Sequence, residues 1–468
     1  MRRPNILILY TDQQRWDALG ANGNGDIKTP HLDRLAGDGV SFDRYFVQNP
    51  VCMPSRLSFL TGQYPGTLGV THMGVPVPTD TVTLPRILGN YGYTSANIGK
   101  LHFLPHANRD HRDIHPDYGF DHLEISDEPG SYEDAYRAWV RRVAPDQLDH
   151  VSLGEAPAAI DWKKIMGTND DIAHPEERFP KRALTFPGQS DVTHSAFVAD
   201  QTMEFISRNR HSQPFLCISG FYPPHSPWIA PQEFLDLYDP QQLALPDFPP
   251  EIDARRGESG AFSDDELRQA HHGYYAMVSE VDHQVGRILA HLDELQLADD
   301  TIVVFTSDHG EWLGEHLKYG KGYPGHDCVT RVPLIFRWPG RVAAPGRTDH
   351  DITEAVDVVP TLLSCIGVQL PPHLQGRSLT GALEGGAPRG QGSAITEMAG
   401  WKTLRTDRFR YVVESDGNEM LFDLAADPSA YTDVSALASY TTALGEVRRE
   451  LLRRLLERER PLPRAWPY

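Results

Sequence analysis

Short apolar runs that alternate with longer amphipathic stretches constrain the fold of this chain more than any other sequence feature. Five runs have the length and the aliphatic or β-branched content of buried strands, at residues 5–10, 94–98, 215–219, 301–305 and 332–336. Helical patterns, such as those over residues 195–208 and 270–295, lie between them. The alternation predicts an α/β fold with a large mixed, mainly parallel sheet sandwiched by helices.

A different pattern begins near the C-terminus. Residues 401–405, 408–414 and 420–424 are typical of strands without intervening helices, and Asp416-Gly417 is a hairpin-turn signal. An apolar stripe then predicts a final helix, through Leu444, Val447, Leu451 and Leu455. We therefore predict two domains, residues 1–375 for the main α/β domain and 376–468 for a small antiparallel subdomain with one helix.

Charge and cysteine content narrow the class of protein. The 468 residues carry a formal net charge of −20, which disfavours nucleic acid and anionic membranes as partners. The first apolar run, residues 6–10, is shorter than the ~7–15 residues of a signal-peptide core or the about 20 of a membrane span, so we expect a cytoplasmic protein. The four cysteines are widely spaced and form no CxxC pair, which argues against a disulfide framework or a zinc ribbon.

Polar side chains follow four of the predicted strands at the point where each strand ends. In open parallel sheets the carboxyl ends of the strands form the ligand-binding edge. Each residue alone has a simpler explanation as a helix cap, a packed loop residue or a surface charge. Their coincidence at one edge predicts a site, and the residues concerned are Asp12, Gln13, Lys100, His102, His225, Asp308 and His309.

Part of this set has the chemistry of a metal site. Asp12 and Asp308 supply hard carboxylates suited to Ca²⁺, Mg²⁺ or Mn²⁺, and the imidazole of His309 moves the preference toward Mn²⁺. Gln13 would add a neutral oxygen. A zinc-protease motif is disfavoured because His309 and His316 are not at the i, i+4 spacing of HExxH.

The segment around Cys52 combines a candidate nucleophile with an anion-binding arrangement. Pro54 suits the first turn of a helix, whose N-terminal N–H groups would face whatever Cys52 holds. Arg56 lies about one turn further along and would reach the same place. The alternative is an unreactive, buried cysteine on a core helix.

The run Cys52-Met53-Pro54-Ser55-Arg56 with Thr61-Gly62 resembles the signature of the type I sulfatases of the alkaline phosphatase superfamily. The resemblance covers most of the chain. Further blocks that are similar to family motifs occur in the expected order, at residues 5–12, 29–36, 99–102, 224–227, 307–310, 331–335, 421–424 and 427–428.

The resemblance implies a set of roles. A formylglycine-generating enzyme would oxidise Cys52 to Cα-formylglycine, whose hydrated form attacks the sulfur of a small anionic sulfate ester. One divalent ion, Ca²⁺ or Mn²⁺, would be held by Asp12, Gln13, Asp308, His309 and the modified Cys52. His225 would protonate the leaving alcohol, and His102 would accept the proton whose loss expels sulfate. Arg56 and Lys100 would hold the diol and neutralise developing charge, and Lys321 would contact the ester. His72 is a further candidate for the substrate pocket.

Two departures from the common family pattern keep alternatives open. Asp12-Gln13 replaces two consecutive aspartates, and Asp308-His309 replaces Asp-Asn, as in the branch of choline sulfatases and phosphonate monoester hydrolases. A phosphonate monoester or phosphodiester hydrolase using the same site is therefore the second hypothesis, although the intact Pro54-Ser55-Arg56 favours a sulfatase. A non-enzymatic metal-binding protein with unmodified Cys52 is the third.

Three regions have no role that the sequence assigns. The histidines at 102, 106, 111, 115 and 122 suggest a loop that lines a pocket, or a second metal site. Residues 130–188 predict a long excursion from the sheet, where substrate selectivity or subunit contacts often arise. The tail at 461–468 offers a contact for a neighbouring subunit, which leaves a homo-oligomer open.

Overall fold

The computed structural model describes residues 3–107, 113–167, 172–175, 177, 181–212, 214–258, 261–386 and 392–459. Its strands are β1 (Asn5–Thr11), β2 (Val40–Phe42), β3 (Tyr45–Phe46), β4 (Thr94–Gly99), β5 (His122–Ile125), β6 (Leu184–Thr185), β7 (Phe215–Gly220), β8 (Ile229–Ala230), β9 (Thr301–Ser307), β10 (Leu334–Arg337), β11 (Arg347–Asp349), β12 (Thr353–Glu354), β13 (Ser393–Met398), β14 (Trp401–Thr406), β15 (Phe409–Glu414) and β16 (Glu419–Asp423). Its α-helices are α1 (Pro30–Gly37), α2 (Cys52–Thr61), α3 (Pro65–Leu68), α4 (Leu84–Gly89), α5 (Ala135–Val143), α6 (Pro157–Met166), α7 (His194–Asn209), α8 (Gln232–Leu235), α9 (Pro250–Asp253), α10 (Asp264–Glu294), α11 (Asp327–Thr330), α12 (Val358–Cys365), α13 (Thr380–Leu383) and α14 (Thr441–Arg458).

The main sheet in the described part of the chain has eight strands in the order β11-β2-β10-β9-β1-β7-β4-β5. Strand β1 lies between β7 and β9 and runs parallel to both, while β10 is antiparallel to β9. All seven residues of β1 are buried, as expected for a strand covered on both faces. The predicted mixed, mainly parallel α/β sheet is therefore confirmed.

Side chains of β1 alternate between the two cores that flank the sheet. Ile6 and Ile8 lie in one core with the helices α2 and α12, and Leu7 and Leu9 lie in the other with α7 and α10. Successive residues of a strand point to opposite faces, so one aliphatic run builds both layers.

Two predicted boundaries shift for local reasons. The strand predicted at 332–336 begins at Leu334, because Pro333 has no N–H to donate to the ladder. The helix predicted at 270–295 begins at Asp264. Ser263 forms a capping box with Glu266, which satisfies the first N–H groups earlier than the apolar pattern indicates.

The C-terminal part contains a four-stranded antiparallel sheet in the order β13-β14-β15-β16, followed by α14. Gly417, with φ +91°, lies between β15 and β16 where the hairpin was predicted. The sequence analysis missed β13, and the buried stripe of α14 packs on the same cluster as this sheet. The boundary at 375/376 stays a prediction, and the tail at 461–468 lies outside the described residues.

No helix in the described ranges combines the length and the apolar character that crossing a lipid bilayer would demand.

Candidate active site

The C-terminal ends of three strands of the parallel part of the sheet bring predicted residues to one rim. Strand β1 leads into Asp12, β4 into Lys100, and β9 into Asp308. At the end of β4, Gly99 has φ +87°, and a Cβ there would lie 2.1 Å from the Gly220 carbonyl oxygen. This close approach places the Lys100 N–H 2.8 Å from the same oxygen and turns the lysine into the site.

Cys52 is the first residue of α2, and all ten residues of this helix are buried. Its Sγ lies 2.8 Å from Lys321 Nζ and 3.2 Å from His309 Nε2. Burial raises the pKa of the Cys52 thiol to about 12, with Asp12 adding to the shift and Lys321 opposing it. The N-terminus of α2 therefore faces a cluster of carboxylates and cations around Cys52, which we call the chamber: Asp12, Lys100, Asp308, His309 and Lys321.

Two buried carboxylates are held by two buried cations. Arg56 Nε donates to Asp308 Oδ2 at 2.7 Å, and Lys100 Nζ lies 2.6 Å from Asp12 Oδ2. Burial by itself raises the pKa of Asp12, but the charges of Lys100, His225 and Lys321 outweigh it and hold that pKa well below its usual range. Asp12 is thus kept as an anion by groups that face the chamber.

The donor set fits a divalent cation. Ligand atoms of Asp12, Cys52, Asp308 and His309 all lie within 4.8 Å of one another. His309 Nδ1 lies 2.8 Å from the Gly310 carbonyl oxygen, which leaves Nε2 for a ligand, as in metal-binding histidines. Gln13, at φ +70°, has a buried Oε1 without a hydrogen-bond partner among the described residues. A hard cation would satisfy that oxygen.

Lys321 and His225 form the half-buried side of the chamber. Lys321 Nζ lies 3.1 Å from His225 Nε2, and His225 Nδ1 lies 2.6 Å from the Ser226 carbonyl oxygen. Burial and the charge of Lys321 lower the pKa of His225 well below its usual value. The protonated ring would therefore be a strong acid with its Nε2 directed at the site.

His102 also joins the site, and it is held through its backbone. The N–H groups of Leu101 and His102 both donate to Asp127 Oδ1 at 2.8 Å. Both ring nitrogens of His102 are buried without a hydrogen-bond partner among the described residues. Burial, followed by His106 and Lys100, lowers the pKa of His102 well below its usual value.

His72 lies apart from this group. Its side chain is exposed, and the nearest polar contact that its ring makes is with its neighbour Thr71, at 3.3 Å. Its assignment to the substrate pocket stays a prediction.

The histidine-rich loop is described only in part, because His111 lies outside the described residues. His106 and His115 line a cavity of about 280 Å³ with Tyr132, while His122 pairs with Glu124 at 2.9 Å. Within the described ranges, the cluster at Cys52 is the only group of side chains with metal-site geometry.

Groups that support the site are not among the predicted residues. The Glu311 carboxylate accepts hydrogen bonds from the Leu313 N–H at 3.1 Å and from Gln13 Nε2. The ring of Tyr222 lies 4.8 Å from Lys100 Nζ. Strand β5, which carries Asp127 on the turn after it, is half-buried and only four residues long, so it has no strong strand signal.

Comparisons with known proteins agree with this architecture. The sulfatase family model matches residues 4–368, and the model for the C-terminal region of N-sulphoglucosamine sulphohydrolase matches residues 314–459. An arylsulfatase of Clostridium perfringens is 28% identical over 483 residues, covering 98% of this chain and 95% of its own. Human iduronate 2-sulfatase is 31% identical over 423 residues, covering 79% and 70%. The phosphonate monoester hydrolase of Agrobacterium radiobacter superposes with a TM-score of 0.80 at 26% identity, covering 97% and 96%.

The position of the chamber, beyond the carboxyl ends of an open parallel sheet, defines an α/β enzyme whose site is shaped for an anionic ester. Because the family match extends over most of its length, the chain belongs to the type I sulfatase family of the alkaline phosphatase superfamily. It is a sulfuric ester hydrolase.

Proposed function

We propose that this enzyme hydrolyses a small sulfate monoester through a hydrated formylglycine formed from Cys52. One observation carries the proposal. Cys52 is the first residue of a fully buried helix, and its Sγ lies 2.8 Å from Lys321 Nζ. The carboxylates of Asp12 and Asp308 lie beside it. A nucleophile surrounded by fixed cationic groups is the arrangement that sulfuryl transfer requires.

A divalent cation, Ca²⁺ or Mn²⁺, belongs to the proposal, held by Asp12, Gln13, Asp308 and His309 together with the modified residue 52. When bound, it would supply Lewis-acid charge that stabilises negative charge developing on the ester oxygens. Gln13 Oε1 and the carboxylates are the donors left available for it.

The protein groups then complete the reaction. One hydroxyl of the hydrated aldehyde passes its proton to the Asp12 carboxylate, whose Oδ1 lies 3.7 Å from the side chain of residue 52. That oxygen forms a bond to sulfur while the bond from sulfur to the alcohol oxygen breaks, and His225 Nε2 gives the alcohol oxygen a proton. His102 removes the proton of the second hydroxyl, and its electron pair restores the C=O bond as the C–O bond to sulfate breaks. A diol is needed for this second step, because the carbon of a sulfated serine side chain bears no second hydroxyl that could expel the sulfate.

The cationic side chains hold the sulfate and its developing charge. Lys100 and Arg56 are each 1% exposed, so their charges act in a water-poor environment. Lys321 lies between Cys52 and His225, with Nζ 2.8 Å from the thiol and 3.1 Å from the imidazole. It is therefore placed to contact both the ester and the leaving oxygen.

The proposal is tested first on the protein itself. Trypsin releases residues 45–56 as one peptide, and its mass distinguishes the aldehyde from the thiol. Co-expression with a formylglycine-generating enzyme should raise the aldehyde fraction and aryl sulfate turnover in parallel, so that turnover per aldehyde stays constant. Metal analysis should find one divalent ion per chain, and chelation should abolish turnover until Ca²⁺ or Mn²⁺ is restored. A fully thiol-bearing protein with undiminished activity would refute the proposal.

A phosphonate monoester or phosphodiester hydrolase is the second candidate. It is favoured by the similarity to the Agrobacterium enzyme and by the imidazole of His309 in the metal cluster. Measuring kcat/KM for an aryl sulfate and for the matching aryl phosphonate monoester separates the two, and a larger value for the phosphonate would reverse our preference.

A cytoplasmic location and a homo-oligomeric state are further proposals, based on the sequence alone. Maturation in the cytoplasm would require the formylglycine-generating enzyme there, which cell fractionation followed by analysis of the 45–56 peptide would test.

A further inference from the structure

One carboxylate at the rim of the active site, that of Glu128, has no partner in the described part of the chain. Glu128 lies three residues beyond β5, which runs parallel to β4 with Ile125 paired to Gly99. Glu128 and Lys100 therefore extend from the same edge of the sheet. Among the described residues, none donates a hydrogen bond to the partly exposed Glu128 carboxylate or forms an ion pair with it.

The other acids of the same segment are all engaged. Asp127 accepts the Leu101 and His102 N–H groups. Glu133 pairs with Arg137 at 3.0 Å and with Arg141 at 2.7 Å, and Asp134 caps helix α5. These three carboxylates have structural partners, whereas Glu128 is available to a ligand.

The backbone holds Glu128 firmly in this position. The Ser131 N–H donates to the Glu128 carbonyl oxygen at 3.0 Å, and the Leu153 N–H donates to the Pro129 carbonyl oxygen at 3.4 Å. Gly130 has φ +75°, and a Cβ there would lie 2.4 Å from Ser152 Cα. The segment is therefore packed tightly against the following loop, and a rigid support of this kind is what a recognition group requires.

Electrostatic coupling indicates that the carboxylate faces the chamber. Burial raises the pKa of Glu128, while the charges of Lys100 and then Lys321 oppose the shift. After burial, the charge of Glu128 is the leading cause that raises the pKa of Tyr222. The ring of Tyr222 is the surface on which Lys100 lies, at 4.8 Å.

We propose that Glu128 determines specificity by binding a positively charged group, such as an ammonium, on the alcohol half of the ester. The inference rests on the proposed sulfatase function. The sulfate half is already matched by Arg56, Lys100 and Lys321, so a further carboxylate contributes nothing to holding it. The same carboxylate would repel esters that carry a second anionic group, which adds discrimination against them.

Three matched substrates test this inference: phenyl sulfates with an aminomethyl, a hydroxymethyl or a carboxymethyl group at the same ring position. For the mature enzyme, kcat/KM should fall in that order. Glu128→Gln should reduce the ratio of kcat/KM between the ammonium and carboxylate substrates by on the order of 10–100-fold, since it removes one attraction and one repulsion. Glu133→Gln is the matched control and should leave the ratio unchanged, because Glu133 faces Arg137 and Arg141.

Binding without turnover gives an independent measurement. In a Cys52→Ala background, calorimetry should show that affinity falls in the same order across the three esters. Glu128→Gln should reduce the differences in Kd between them. An unchanged kcat/KM ratio together with unchanged differences in Kd in Glu128→Gln would overturn the inference, as would an equal loss of affinity for all three esters. If mature wild-type enzyme cleaves no sulfate ester, the proposed function fails. The calorimetry still decides whether Glu128 discriminates between esters by the charge of the alcohol group.

Discussion

Two clusters of buried charge in this molecule differ in how completely they are satisfied. In the active site, Gln13 Oε1 and both ring nitrogens of His102 are buried without hydrogen-bond partners among the described residues. Lys321 contacts Cys52 and two imidazoles, and within the described ranges no carboxylate lies at ion-pair distance from it. These groups leave capacity for a ligand.

The second cluster surrounds Glu354 and joins helix α14 to the main domain. Glu354 accepts hydrogen bonds from Tyr64 at 2.8 Å, from the Ile395 N–H at 2.8 Å and from Gln48 at 3.4 Å. It also pairs with Arg454, and both side chains are nearly inaccessible. Both oxygens of Glu354 are thus occupied by groups of the protein.

The comparison separates stability from function. Buried polar groups are costly unless they are paired, so a cluster that leaves several unpaired is retained for what it binds. A cluster that pairs every atom of its central acid holds the fold together. Changes in the active site should therefore affect turnover more than stability, and changes around Glu354 should do the reverse.

The largest effect should follow Cys52→Ala. Removing the nucleophile should lower kcat at least about 10⁴-fold, while the free energy of unfolding changes by only about 1 kcal/mol, since a single sulfur atom is lost. Aryl sulfate turnover and urea unfolding measure the two quantities. Full activity in this variant would exclude the nucleophile that we propose.

The reverse outcome is expected for Arg454→Met. The substitution keeps the apolar stem but leaves the Glu354 charge short of its cation, which should cost about 3–5 kcal/mol of unfolding free energy. At 25 °C the folded enzyme should keep its kcat/KM. Arg453→Met is the matched control, because Arg453 pairs with Glu450 and Glu457 on the exposed face of α14 and should cost less than about 1 kcal/mol. Equal losses in the two variants would contradict a special role for the Glu354 cluster.

Lys321→Met should affect turnover without destabilising the fold. Loss of a fixed cation from the site should lower kcat/KM by about 10²–10³-fold. Stability should change little, because the cost of burying the lysine charge offsets much of its attraction to Asp12. Lys318→Met, three residues away, is the control, since Lys318 lies 4.7 Å over the Trp312 ring. A comparable kinetic loss in both variants would indicate a general loop effect.

The smallest effect concerns a buried acid that has only neutral partners. Glu280 accepts hydrogen bonds from Thr193 at 2.6 Å and Ser195 at 2.7 Å, and burial raises its pKa from 4.5 to about 7. Protonated Glu280 is favoured by the fold, so its contribution to stability is present at low pH and is lost as the pH rises through about 7. Glu280→Gln should remove up to about 3 kcal/mol of this pH dependence, measured by urea unfolding between about pH 5 and pH 8. Parallel pH curves for the two proteins would contradict the assignment.

Local patterns were enough to predict much of this architecture. The five strands read from aliphatic runs all occur in the main sheet, and the Cys-Met-Pro-Ser-Arg run begins a helix as expected. Of the strands that were not predicted, β5 is half-buried, and β13 follows a glycine-rich stretch without clear apolar alternation. Short strands depend on their neighbours for stability more than on their own composition.

Residue types and their order were enough to identify the kind of chemistry: a cysteine in a sulfatase motif, and acids and imidazoles at strand ends. Folding then selects which side chains share one chamber and which are left unpaired. Lys321 contacts Cys52 across 269 residues of chain. Asp127 accepts two backbone N–H groups, whereas the adjacent Glu128 has no partner within the described ranges. Propensity and pattern act over a few neighbouring residues, whereas these contacts arise from packing between distant segments, which no local run of residues encodes.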